Sequence, residues 1–406
     1  MYQYHRFPNG IRLIHKQQPG KVSHLGFFIN AGSRDEDINE QGVAHFIEHL
    51  IFKGTEKRSN YQVLSRLENV GADLNAYTTK EDTTVYASIQ NTHYQRAFEL
   101  LTDIVFHSNF PDKEMEKERI VIMDELNSYK DNPAEWIYDS FDELLYPNHA
   151  IGKNILGTTQ TLKKIKKESI LHFYKKHYVP SQIVISSISN MSLKHVTKIM
   201  DKYLQHITTA DVAYKREGVG IYTPVKFTKK YANHQAHVVI GNIAYNAHDK
   251  KRMPMALLNN ILGGPAMSSR LNMRLREQNG IAYNLESNYQ AFSDTGMFNI
   301  YCGTDSKLLS KAIDLIHNEL KILREKELSS LQMHTAIKQL CGQLTISMES
   351  KQSEMLAMGK NMLVYDFMEN VKDTYKRIEA ITQKEVIEIA NEVFNPYQLS
   401  ELIFTH

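Results

Sequence analysis

The sequence predicts an α+β fold built twice, as two similar domains in one chain. Three observations carry that expectation. The chain has 406 residues, more than one ordinary core accommodates. Apolar residues make up 42% and charged residues 23%, the balance of a folded globular protein rather than a disordered one. An order of elements (strand pair, helix, strand pair, long helix) then recurs about 210 residues after its first appearance, a period far longer than that of a solenoid. The pattern weakens around Asp201–Tyr222, which sets the expected domains at 1–210 and 211–406.

In the first half, Gly10 to Asn30 reads as two strands about a Pro19-Gly20 turn, from the approximate alternation of Ile11 and Leu13, then Val22, Leu25, Phe27 and Ile29. Ala31 to Glu36 follows as a polar loop. One helix is expected over about Gly42–Lys53, stopping at Gly54, and another over about Asn60–Asn69, ending at Gly71. Strand signals return at Asp73–Tyr77 and Thr83–Gln90, and a helix over about His93–Val105 follows. Pro111 precedes a long charged helix over about Lys113–Tyr129, which Pro133 ends, and Lys163–Lys176 also reads as helical.

In the second half, two strands are expected within Val225–Ala244 and a helix over Pro254–Leu262, ending at Gly263-Gly264. A short helix at Arg274–Gln278, strands at Ala282–Gln290 and Gly296–Thr304, and long helices at about Ser306–Lys326 and Ser329–Ser347 complete the repeat. Met355, Met358 and Met362 fall at helical spacing and read as core.

Charge and cysteine content narrow the function. With 48 basic and 46 acidic residues the net charge is +2, which is not the basic footprint of a nucleic-acid binder. The run Lys163-Lys164-Ile165-Lys166-Lys167 reads as a solvated helix face. Cys302 and Cys341 have neither CxxC nor zinc-finger spacing; they fit a reducing compartment and are expected to be buried. Met1 to Gly10 lacks the apolar run of a signal peptide, and no stretch approaches the 18 or so uncharged apolar residues of a membrane span. The expected location is the cytoplasm, with neither membrane nor nucleic acid as partner.

The chemistry concentrates in His45-Phe46-Ile47-Glu48-His49. Residues i and i+4 on a helix stand one above the other, so His45 and His49 can face one metal ion, with Glu48 flanking the same face. The motif inverts the commoner H-E-x-x-H string but keeps its parts. A catalytic zinc takes three protein ligands and leaves a position for water, whose pKa it lowers to about 7. Glu48 is the candidate general base. In the helix around Lys113–Tyr129, Glu118 and Glu125 lie seven residues apart and share a face with Val121 and Ile122. That face should point inward, and buried carboxylates need a compensating partner. Glu125 is accordingly assigned as the third ligand and Glu118 as a hydrogen-bond partner of a ligand imidazole. The second half has apolar Met255-Ala256-Leu257-Leu258 where the first has its histidines, so one half carries a site and the other does not.

These residues resemble the pitrilysin/insulinase (M16) superfamily of zinc metallopeptidases, and within it the small bacterial members similar to mitochondrial processing peptidase. The resemblance runs through Ala31–Glu36 and Gly42–Thr55, and through a glutamate 76 residues after the motif, which here is Glu125, with another seven earlier, Glu118. Gly71–Thr78 and Glu81-Asp82-Thr83 look like the family strand that pairs with substrate backbone, which implies a substrate-binding role for Asn75, Ala76 and Tyr77. Ile155–Thr158 and Phe173–Tyr178 also match. Ser268–Leu271 and Leu275–Tyr283 resemble the region of the family's substrate-binding Arg/Tyr pair, which implies that Arg276 and Tyr283 contact the substrate carbonyl. The resemblance further implies two α+β domains, each a mixed sheet backed by helices, closing like a clam around a chamber. It implies one Zn2+ per chain, unfolded peptides as substrates and a homodimer. Two other readings are a catalytically silent partner subunit and a peptide-binding module with a structural zinc; the open fourth position argues against the second.

Overall fold

The computed structural model describes residues 1–209, 215–231 and 235–406, so the expected boundary between 210 and 211 lies outside the described residues. The chain divides into two compact units. Unit 1 comprises Met1–Asn127, Lys153–Arg216 and Ile346–Met368; unit 2 comprises Ser128–Gly152, Glu217–Thr345 and Glu369–His406. Each unit therefore includes a segment from the other half of the sequence.

Eleven strands are described: β1 (Tyr2–Arg6), β2 (Arg12–Gln17), β3 (Val22–Ile29), β4 (Asp73–Thr78), β5 (Thr83–Gln90), β6 (Ile183–Ser189), β7 (Lys226–Lys230), β8 (Gln235–Ala244), β9 (Asn284–Ala291), β10 (Gly296–Asp305) and β11 (Ser400–Thr405). The helices of the first 204 residues are α1 (Val43–Leu50), α2 (Asn60–Glu68), α3 (Tyr94–Phe106), α4 (Asp112–Asp131), α5 (Pro133–Leu145), α6 (Thr159–Lys164), α7 (Lys167–His177) and α8 (Leu193–Leu204). Those of the remainder are α9 (Arg252–Gly263), α10 (Leu309–Glu325), α11 (Ser330–Glu349), α12 (Lys351–Tyr365), α13 (Val371–Glu379) and α14 (Gln383–Val393).

The sheet of unit 1 runs β1-β2-β6-β3-β5-β4, and that of unit 2 runs β7-β11-β8-β10-β9. In each, the strand that arrives last inserts between two earlier consecutive strands, β6 between β2 and β3 and β11 between β7 and β8. β6 lies parallel to β2 and antiparallel to β3, and β11 lies parallel to β7 and antiparallel to β8. The Pro19-Gly20 turn thus joins strands that are not hydrogen-bonded neighbours. Apart from the additional edge strand β1, the two sheets share one topology, which is the duplication that the order of elements predicts. All seven residues of β6 are buried, so its sequence lacks the polar-out alternation of a half-exposed strand.

One helix packed on each sheet comes from the opposite half of the chain. α12 lies against β3 and β6 in unit 1, and α5 lies against β8 and β11 in unit 2. Met355, Met358 and Met362 form a core with Ile14, Phe28, Val184 and Ile188, as their spacing predicts. α5 begins where the sequence predicts a helix end. Asn132 accepts from the Ala134 N–H at 3.2 Å and Pro133 takes the first helical turn, so the Asn-Pro pair both ends α4 and starts α5. The lysine run spans a junction rather than one helix face: α6 stops at Lys164, buried Ile165 separates it from α7, and α7 starts at Lys167. Cys302 is buried, but Cys341 is only half-buried, contrary to expectation.

Helix α12 approaches β3 so closely that a Cβ on Gly359 would overlap the Phe28 ring. Overpacking of this kind costs about 1–3 kcal/mol. Gly359→Ala should lower the urea midpoint of unfolding accordingly, with no change in the slope of the transition.

Candidate metal centre

Helix α1 is only eight residues long, and its register is held from outside. Val43, Ala44, Phe46, Ile47 and Leu50 are fully buried, which directs Glu48 and His49 to the other side, with His45 at the boundary. At the N-cap, Gly42 has φ +96, and a Cβ there would sit 2.6 Å from the Leu156 carbonyl oxygen. Glycine has no side chain with which to cap. Instead the Glu36 carboxylate accepts from the Gly42 N–H at 2.8 Å and the Ala44 N–H at 2.9 Å, at the positive end of the helix dipole. The segment Ala31 to Glu36, expected as a polar loop, is buried throughout. It tolerates burial because its charged side chains are paired: Arg34 pairs with Glu81 at 2.6 Å, and Asp35 accepts from the Gly32 N–H at 2.9 Å.

Helix α4 presents Met115, Glu118, Ile122 and Leu126 inward. Val121, expected on that face, is instead exposed, because the buried stripe follows the i, i+4 row from Glu118 to Ile122. Arg119 fastens α4 to α1: its guanidinium lies 5.5 Å from the centre of the Phe46 ring and donates to the Ile165 carbonyl at 2.9 Å. Glu125 reaches both imidazoles, with His45 Nε2 at 3.9 Å and His49 Nε2 at 3.6 Å. One ligand atom from each of His45, His49 and Glu125 lies within 4.8 Å of the other two. Tetrahedral zinc with ligand bonds near 2.0–2.2 Å needs donor separations of about 3.4 Å. The trio fits a zinc ion after side-chain movements well within rotamer freedom, and nitrogen and oxygen donors suit that metal.

Glu118 does not join the trio. Its carboxylate accepts from Lys53 Nζ at 2.7 Å and faces His49 Nδ1 at 3.1 Å. A proton on Nδ1 leaves Nε2 as the lone-pair nitrogen directed to Glu125. Lys53 and Glu36 both act here without having been singled out in the sequence. Lys53 lies four residues after His49, the one signal that could have placed it near the site.

Electrostatics separate the four groups. Burial, then the charge of His49, push the His45 pKa down to about 4, so it stays neutral and available as a ligand. Burial also opposes protonation of His49, but hydrogen bonds and charge from Glu125 and Glu118 outweigh it and move the pKa up. The His49 hydrogen bond, followed by His45, holds Glu125 below its usual range. Glu48 moves up because it is buried, with Thr78 and His49 pulling the other way.

A groove of about 580 Å³ opens beside these residues within unit 1. Glu48, His49, Phe52 and Glu118 line it together with Asn75 and Ala76 of β4. Among the described residues β4 ends the sheet and pairs only with β5, so none of them covers its outer edge with a strand. Tyr77 does not line the groove; it is half-buried with its ring 6.2 Å from that of Tyr86. Arg276 and Tyr283 belong to unit 2, where both line a groove of about 1010 Å³. Arg276 sits on a π-helix, Asn272–Glu277, its side chain 54% exposed; Gly280 follows with φ +63, and Tyr283 stands 75% exposed just before β9.

Two topologically equivalent units share one chain, and among the described residues the first alone has a His–His–Glu cluster that could hold a metal. Residues 12–159 match the family model described as insulinase (peptidase family M16), and residues 164–340 match the peptidase M16 inactive domain. The chain is 31% identical to an uncharacterized zinc protease of Bacillus subtilis, over 95% of this chain and 94% of that one. It is 30% identical to an uncharacterized zinc protease of Streptomyces coelicolor, over 95% and 86% of the two chains. It belongs to the M16 peptidase family. In fold it is similar to a protease from Helicobacter pylori, with a TM-score of 0.94, 18% identity and full coverage of both chains. It is also similar to a peptidase M16 inactive domain from Pseudomonas fluorescens, with a TM-score of 0.91 and 17% identity, covering 100% of this chain and 98% of that one. No helix among the described residues is long and apolar enough to cross a membrane.

Two outcomes follow for metal binding. Glu118→Gln should weaken zinc binding about 10- to 100-fold, measured by competition with a chromogenic chelator. For the unchanged protein, zinc must displace the proton that the raised pKa keeps on His49, whereas His45 competes only near its pKa of about 4. The apparent zinc Kd should therefore rise as pH falls, by up to about tenfold per pH unit, a slope of one proton and not two.

Proposed function

We propose that the chain is a zinc-dependent endopeptidase that hydrolyses unfolded peptides at the α1–α4 cluster. The observation that carries this reading is the convergence of His45, His49 and Glu125 beside a groove that also exposes Glu48 and the edge of β4. An extended peptide adds to β4 at Asn75–Tyr77 through backbone hydrogen bonds, which demands little of its side chains. A bound zinc ion supplies Lewis acidity for the scissile carbonyl and for a water. Glu48 takes a proton from that water on its carboxylate and hands it to the leaving amine nitrogen, a role its upward shift suits. Glu118 orients His49 throughout. On the family resemblance, Arg276 and Tyr283 contact the substrate carbonyl and the developing oxyanion. The homodimer, the enclosing chamber, one zinc per chain and the cytoplasmic location belong to the same proposal.

The test is hydrolysis of an unstructured peptide of about 20 residues by zinc-loaded wild type and Glu48→Gln. Wild type should cleave, chelator should abolish cleavage, and Glu48→Gln should lose at least about 10²-fold in kcat while keeping its zinc. Intact peptide across a varied set, with zinc bound, would instead favour the silent-partner reading. Arg276→Ala should lower kcat/KM with zinc affinity unchanged, because Arg276 is no part of the metal cluster.

A further inference from the structure

We infer that Arg216 is a positioning residue that ties the metal-bearing helix to the substrate strand. The inference builds on the proposed function, because it takes α1 and β4 as the two walls of the working site. Arg216 ends the second of the three segments of unit 1, and the chain re-enters unit 2 at Glu217. Its guanidinium makes a fork on Asp35: Nε donates to Oδ1 and Nη2 to Oδ2, both at 2.9 Å. The same Nη2 donates to the Glu81 carbonyl at 2.6 Å, and Nη1 stands 3.7 Å from the Glu81 carboxylate.

The two contacts belong to different walls. Asp35 is next to Glu36, whose carboxylate caps α1. Glu81 lies in the turn between β4 and β5, directly after the strand assigned to substrate. The buried segment Gly32–Glu36 already leans on that turn: Ser33 N–H donates to Thr79 O at 3.1 Å, and Arg34 N–H donates to Lys80 O at 2.8 Å. Arg216 closes the bracket by holding the segment and the turn with one planar group. The Asp35 side chain is fully buried, and this fork and the Gly32 amide both stabilise its carboxylate. A planar bidentate contact of this type cannot be reproduced by lysine.

Backbone hydrogen exchange of the zinc-loaded protein reads the bracket without requiring turnover, so the result stands apart from the success or failure of the peptidase assay. Arg216→Met should raise exchange at the amides of Ser33, Arg34, Gly42 and Ala44 by at least about tenfold. Arg216→Lys, which keeps the charge and folds more readily, should recover only part of the protection. Asp35→Asn should have the same effect, and the double variant should add little to either single one. Arg12→Gln serves as the control, since its ion pair with Asp366 at 2.9 Å is also in unit 1 but touches neither wall. Wild-type exchange at all four amides in both Arg216→Met and Arg216→Lys would overturn the inference. So would an equal rise in Arg12→Gln, which would mark the effect as general loosening.

Discussion

The Glu36 carboxylate at the N-terminus of α1 is the contact on which the geometry of the site rests. A helix of eight residues has too few internal hydrogen bonds to be stable by itself. Its first amides need partners, and Gly42 has no side chain to offer. Glu36 supplies two acceptors from a buried segment, and the buried face of α1 supplies the remaining stabilisation. With the helix fixed at both its cap and its apolar face, three polar side chains project in a set register. Burial then gives those side chains different proton affinities. One imidazole is kept neutral, the other is held by two carboxylates, and Glu48 becomes a better proton acceptor than an exposed glutamate.

Among the described residues such a site occurs once, although the architecture occurs twice. Both sheets have the same strand order about their inserted parallel strand, and each receives a helix from the other half of the sequence. Helix α9 follows β8 as α1 follows β3, but it places Met255, Leu257 and Leu258 in the core and carries no ligand. The architecture is therefore indifferent to the chemistry; a few side chains on one short helix and one long helix make the difference. Exchange of α5 and α12 also means that each unit's core needs residues from both ends of the chain, as the Phe28–Gly359 contact illustrates.

The metal cluster was legible in the sequence because its signal is local. His45, Glu48 and His49 occupy one helical face by spacing alone, and Ile122 marks the inward face beside Glu118, although Val121, read with it, is exposed. The duplicated order of strands and helices was legible for the same reason. The sequence did not disclose that Ala31–Glu36 is buried, because its residues are polar and their partners, Glu81 and Arg216 among them, come from distant segments. Nor did it disclose β6, whose serines are buried on a strand covered on both faces: Ser187 is satisfied by Tyr94 at 2.8 Å, and Ser186 by the Met355 carbonyl at 2.7 Å. Helix α5 was hidden by Pro133, which reads as a terminator although Asn132 and Pro133 together start the next helix.

The amino-acid sequence by itself determined the class of fold and the residues of the candidate metal trio with the glutamate beside it, because helical spacing and periodicity are local to each segment. Tertiary structure decided which further partners support that cluster: Glu36 on the helix cap, Lys53 on the Glu118 carboxylate, and the edge position of β4. It also decided that the units interleave in sequence. These features depend on which segments meet in space: the periodic mark of an apolar face tells that it is buried but not against what, and the pairing of buried charges leaves no periodic mark at all.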